Sequence, residues 1–282
     1  MSSSPNLSTR AVPTLDAAAK TVETLRAQVR EFPGKASALA RALLSLGELR
    51  REAGDVSGAE AAFREVLEVG GKLQVPMDII ADARTSLATL LDFNGREEES
   101  LAFYEEAIEA HETLGGESDE VAAQLRNNVA MTYKGMGKLA LAEQHYLRSL
   151  ETLENKRGRS SESVACVFNN LGSLYYAAGF PDQAREMFDD GLKIRLEVLG
   201  PAHRDVAQSL CNLGTSCHEL GDNVAAQKHF EESLAILEAQ LPTEAASFEA
   251  VGLDYLAMLE EIGEGAKAAA FRKRLDKALS FA

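Results

Sequence analysis

Apolar and polar positions alternate along most of the chain with the three-to-four-residue spacing of amphipathic helices, and the same pattern returns at a fixed interval. The pairs Leu46-Gly47, Leu87-Ala88, Val129-Ala130, Leu171-Gly172 and Leu213-Gly214 are separated by 41, 42, 42 and 42 residues. Eight residues after the first member of each stands a glycine: Gly54, Gly95, Gly137, Gly179 and Gly221. Five residues further comes a small residue, Ala59, Ser100, Ala142, Ala184 or Ala226, and four beyond that an aromatic, Phe63, Tyr104, Tyr146, Phe188 or Phe230. This grammar predicts two helices per repeat. The glycine ends the first by adopting a left-handed conformation at little cost, the small residue lets the second approach closely, and the ring fills the space between them.

The pattern resembles the L-G-x-x-Y, A-x-x-x-F signature of tetratricopeptide repeats, which implies an all-α, right-handed superhelical solenoid with a concave inner wall. About five 42-residue helix pairs are expected at 36–75, 76–118, 119–161, 162–203 and 204–245. Ends of solenoids are atypical because their outer faces meet water. Leu15, Ala18, Val22, Leu25 and Val29 share one face of a helix expected over 15–32 as an amino-terminal cap, behind a disordered tail at 1–14. Residues 246–282 read as a degenerate sixth repeat with a carboxyl-terminal cap, in which Leu256-Ala257 stands in place but Gly263 comes one residue early.

The repeat is longer than the common 34-residue form. Asn169-Asn170-Leu171-Gly172, then Gly179, then the run Gly191 to Pro201 with His203 and Asp205-Val206-Ala207, is similar to the kinesin-light-chain type, and Asn127-Asn128-Val129-Ala130 and Cys211-Asn212-Leu213-Gly214 repeat the motif. That resemblance covers roughly 36–245. It implies that Asn128, Asn170 and Asn212 face the groove and can bond the backbone of an extended peptide, with Gln124 and Gln208 one turn earlier; an amide offers both donor and acceptor. The alternative is that these amides bond only to neighbouring helices. Ser45 and Ser86 hold the matching positions of the first two repeats, so the ladder spans only the later half. Lys134, Tyr176 and His218 occupy one further register on the same wall.

Two departures narrow the resemblance. Glu48, Thr89, Met131, Ser173 and Thr215 stand where the subclass that grips a carboxyl-terminal peptide has asparagine, which argues against chaperone-tail binding. About one helix precedes the repeats, in place of the long heptad segment of eukaryotic light chains, so a motor subunit is not expected. A short, alanine-rich chain of this type is similar to the bacterial kinesin light chains, which implies binding to bacterial tubulin filaments.

Composition removes other classes. The net charge of -15 argues against a nucleic-acid partner, since neutralising phosphates takes clustered Lys and Arg. Met1 to Leu15 lacks the apolar core of a secretory signal, and no apolar run reaches the roughly 20 residues of a membrane span, so a cytoplasmic protein is expected. Cys166, Cys211 and Cys217 lack metal-binding spacing and read as small buried residues in a reducing compartment. His111, His145, His203, His218 and His229 form no H-E-x-x-H pair; no nucleophile elbow or phosphate loop is present, so neither catalysis nor a cofactor is expected. Two basic clusters stand out: Lys156, Arg157 and Arg159, expected in the turn between the third and fourth repeats, and Arg272, Lys273, Arg274 and Lys277 on the last helix. With Phe271, Leu275, Leu279 and Phe281, the latter could rest on an anionic membrane or an acidic partner, or cap the solenoid with its apolar face turned inward.

Overall fold

The computed structural model describes residues 14–280; the tail expected at 1–14 lies, but for Thr14, outside the described residues. They form helices joined by short turns: α1 (Leu15–Glu31), α2 (Ala36–Glu52), α3 (Val56–Lys72), α4 (Met77–Phe93), α5 (Glu97–Leu114), α6 (Ser118–Gly135), α7 (Leu139–Arg157), α8 (Glu162–Ala177), α9 (Pro181–Leu199), α10 (Arg204–Glu219), α11 (Asn223–Glu238), α12 (Ala245–Glu261) and α13 (Gly265–Leu279). After α1, each even-numbered helix is the first of a pair and the next its second. The architecture is an all-α repeat fold. Two compact units divide the chain, Met1–Leu125 and Arg126–Ala282, with the boundary inside α6.

The turn inside every pair follows from one residue. Gly54, Gly95, Gly137, Gly179, Gly221 and Gly263 have φ between 72° and 80°, a region that strains any residue with a Cβ. The second helix then starts on a cap where one is supplied: Asp55 accepts from the Gly58 N–H at 2.9 Å and Asp222 from the Ala225 N–H at 3.1 Å.

The signature residues explain the close approach within a pair. Phe63, Phe188 and Phe230 are buried against Gly47, Gly172 and Gly214, where an added Cβ would meet the ring at 2.4, 2.6 and 2.9 Å. The glycine at that position is therefore a seat for the aromatic. Ala59, Ala142, Ala184 and Ala226 are fully buried beside it, and Ser100 takes that place in α5.

In the first unit, Ala18 and Val22 of α1 are buried against Leu39, Leu43 and Val66, with Leu25 and Val29 partly buried at the rim; Leu15 is exposed. In the second unit the last two pairs share a core built on Phe230, Tyr255 and Phe271, whose rings meet at 5.6 and 5.1 Å between centroids. A buried polar chain joins α8, α9 and α10: the Arg195 guanidinium donates to the Asp205 carbonyl at 2.8 Å and to Ser209 Oγ at 2.9 Å, and Ser209 donates to Asn169 Oδ1 at 3.0 Å. Asn169 closes it by donating to the Ala165 carbonyl at 3.0 Å.

Three expectations need correction. Cys211 and Cys217 are buried, but Cys166 is exposed because it shares the face of α8 that carries Glu162 and Asn170, four residues to either side. Lys156 and Arg157 are in the last turn of α7, which runs through the expected turn; only Arg159 lies beyond it. Phe271 and Leu275 are buried in the core and Leu279 is packed against it, so α13 offers no apolar stripe to a membrane; Phe281 lies outside the described residues. None of the described helices is long and apolar enough to cross a membrane.

Candidate protein-binding face

The residues singled out for the groove lie on three first helices of the later pairs, α6, α8 and α10. Gln124 and Gln208 are exposed, and Asn128, Asn170 and Asn212 are half-buried. The three asparagines do not form one ladder. Asn170 Nδ2 donates across to Asn127 Oδ1 at 2.8 Å, which joins α8 to α6 through the residue before Asn128. Asn212 Oδ1 instead accepts from Gln208 Nε2 of its own helix at 3.1 Å. Successive residues on a helix point about 100° apart, so a one-residue change of partner marks a different face.

The register of Lys134, Tyr176 and His218 links each first helix to the next. Lys134 Nζ donates to Ser173 Oγ at 2.8 Å, Tyr176 Oη donates to Glu219 Oε1 at 3.0 Å, and His218 Nε2 lies 3.3 Å from Glu261 Oε2. His218 Nδ1 is also within 2.9 Å of Asn223 Oδ1, so both ring nitrogens are engaged. Burial holds the Lys134 ammonium below its usual range, and burial followed by the Glu219 carboxylate raises the Tyr176 phenol. These side chains therefore fix the spacing of the first helices as well as colouring their surface.

The basic clusters are partly occupied. Arg159 pairs with Asp190 at 2.7 Å and stacks over the Phe168 ring at 5.3 Å. On α13, Arg272 pairs with Glu260 at 3.2 Å and Arg274 with Glu238; Lys273 and Lys277 are exposed and have no ion pair among the described residues.

One residue was missed. Counting back nine residues from the turn glycine gives Asn128, Asn170 and Asn212 in the three preceding pairs, and from Gly263 it gives Asp254. The expected alignment on Leu256-Ala257 hid this, because in the last pair the turn glycine, and not the signature pair, keeps the register. Asp254 lies beside a cavity of about 400 Å³ that opens between α10 and α12.

A tetratricopeptide repeat model matches residues 80–155 and 163–239. The chain belongs to the tetratricopeptide repeat family. Among solved structures it is similar to BtubC (BKLC) from P. vanneervenii, at 32% identity and a TM-score of 0.70, over 81% of this chain and 91% of that one. It is also similar to a putative kinesin light chain from Podospora anserina with nearly identical TPR-like repeats, at 18% identity and a TM-score of 0.62, over 73% and 97% of the two chains. The apo form of RapI matches at 15% identity and a TM-score of 0.69, over 95% and 76%. The last two show the fold alone. No curated protein matches. Tetratricopeptide repeats are scaffolds for protein–protein interaction, and this tetratricopeptide repeat protein is read in that class.

Proposed function

We propose that this tetratricopeptide repeat protein is a non-catalytic scaffold that binds bacterial tubulin filaments in the cytoplasm. The observation that carries the reading is the 32% identity to BtubC over 81% of this chain and 91% of that one, a likeness that spans the repeat stack instead of a single motif. It adds to the kinesin-light-chain pattern of Asn-Asn-Leu-Gly followed by Gly179. The contact surface in this reading is the first-helix face of the second unit, where many shallow polar groups meet a folded subunit.

Co-sedimentation tests it. The full chain, mixed with assembled bacterial tubulin, is expected to pellet saturably with polymer and to stay in solution when assembly is blocked. A chain that remains in the supernatant at every polymer concentration overturns the proposal. Displacement of the chain by a short tubulin peptide would replace it with a peptide-adaptor reading.

A further inference from the structure

The first-helix face carries a cavity that takes in Gln208 alone of the residues expected to bind. It is about 400 Å³, within the range of clefts that hold small ligands, and opens between α10 and α12. Arg204, Asp205, Gln208 and Cys211 line it from α10, while Ala250, Val251 and Asp254 line it from α12. Leu237 of α11, with Glu244, Ala246 and Ser247 at the start of α12, completes the wall. At one end Arg204 pairs with Glu244 at 3.4 Å.

The lining is chemically lopsided. Three carboxylates, Asp205, Glu244 and Asp254, face a single guanidinium, that of Arg204. Glu244 is nine-tenths buried, holding Arg204 with one oxygen and accepting from Ser247 Oγ at 2.9 Å with the other. Asp254 has no cation beside it among the described residues, and burial raises its carboxyl above the usual aspartate range. The Cys211 thiol makes no hydrogen bond among the described residues, although the residue is only 5% exposed; burial and then the Asp254 charge push it up to about 12. Leu237 and Val251 supply an apolar wall beneath the acidic rim.

An anionic guest would be repelled by this rim, and a wholly apolar one would strip water from Asp254 without replacing it. A long aliphatic stem with a charged head satisfies both surfaces, because lysine and arginine bury their methylenes while keeping the head on polar groups. We infer that the α10–α12 cavity is a docking pocket for a lysine or arginine side chain of the protein partner, with Asp254 as its counter-charge. In the second unit the register of Asn128, Asn170 and Asn212 thus ends on a carboxylate, which turns a neutral polar column into a charge-selective one. The inference rests on the protein-binding reading, and its test does not depend on tubulin.

The probe is a capped peptide, Gly-Gly-Arg-Gly-Gly, titrated into the full chain with the methyl resonances of Leu237, Ala250 and Val251 followed by NMR. Its counterpart has citrulline in place of arginine, which keeps the shape and removes the charge. The arginine peptide is expected to shift these methyls saturably and the citrulline peptide to bind at least about tenfold more weakly, as does arginine on Asp254→Asn, the scale of a lost charge-assisted hydrogen bond. Ala250→Leu, at an exposed position on the wall, narrows the cavity and is expected to weaken binding of the arginine peptide while thermal unfolding stays unchanged. Equal binding of both peptides, absence of any shift, or an arginine affinity indifferent to Asp254→Asn overturns the inference. If the arginine peptide binds as expected while the chain ignores tubulin polymer, the filament reading fails alone; filament binding without arginine binding removes only the pocket.

Discussion

The two compact units use the same repeat grammar and different polar cement. In the first, charges on α1, α3 and the start of α5 form a part-exposed network: Glu60 meets Arg64 at 2.8 Å and Arg96 at 2.6 Å, Glu99 pairs with the same two arginines, and Arg26 of α1 pairs with Glu65. The second also carries surface pairs such as Arg159–Asp190, but adds the Arg195–Ser209–Asn169 chain, which is sealed away from water. Solvent and ions screen the first arrangement, whereas the second combines a desolvation cost with bonds that only one packing of α8, α9 and α10 can satisfy. Repeats of like sequence need not respond alike to the same condition.

The largest expected effect tests what the units share. Phe230→Ala removes the ring seated on Gly214 and should destabilise the chain by about 3 to 5 kcal/mol, and Phe63→Ala by a similar amount, both measured by urea unfolding. A loss confined to one of them would mean that the aromatic seat is not the common element. Ser209→Ala comes next, at about 1 to 3 kcal/mol, because Asn169 and the Arg195 guanidinium each lose a buried partner. The smallest is Glu60→Gln, whose part-exposed pairs are worth about 1 kcal/mol and whose effect should shrink at about 1 M salt, where screening shortens to about 3 Å. If Ser209→Ala were the salt-sensitive change and Glu60→Gln were not, the contrast between the units would collapse.

Much of this fold is legible in the sequence because its strongest constraints are local. A positive φ admits glycine at little cost, and a ring packed on a glycine fixes the spacing of both, so Gly179, Gly172 and Phe188 announce a helix pair before any packing is known. The face of the first helices is less legible. Asn127 and Asn128 are adjacent in sequence and differ by a fraction of a helical turn, so which of them reaches Asn170 depends on how α6 and α8 sit against each other. Lys134, Tyr176 and His218 are legible as one register of the groove wall, but their partners are not: Ser173 lies 39 residues ahead, whereas Glu219 and Glu261 each lie 43 ahead. Asp254 was hidden for the opposite reason: the last pair departs from the signature while keeping its turn.

A stack of near-equivalent repeats presents a recurring difficulty to any partner that is itself periodic, since a complex displaced by one step would find almost the same surface. The positions one repeat before Glu244, Arg204 and Asp254 are Ala202, Glu162 and Asn212, so the α10–α12 cavity has no chemical copy a step away. It acts like the zero mark on a ruler. A partner that reads it can be aligned only one way, and misregistered complexes lose that contact without gaining a substitute.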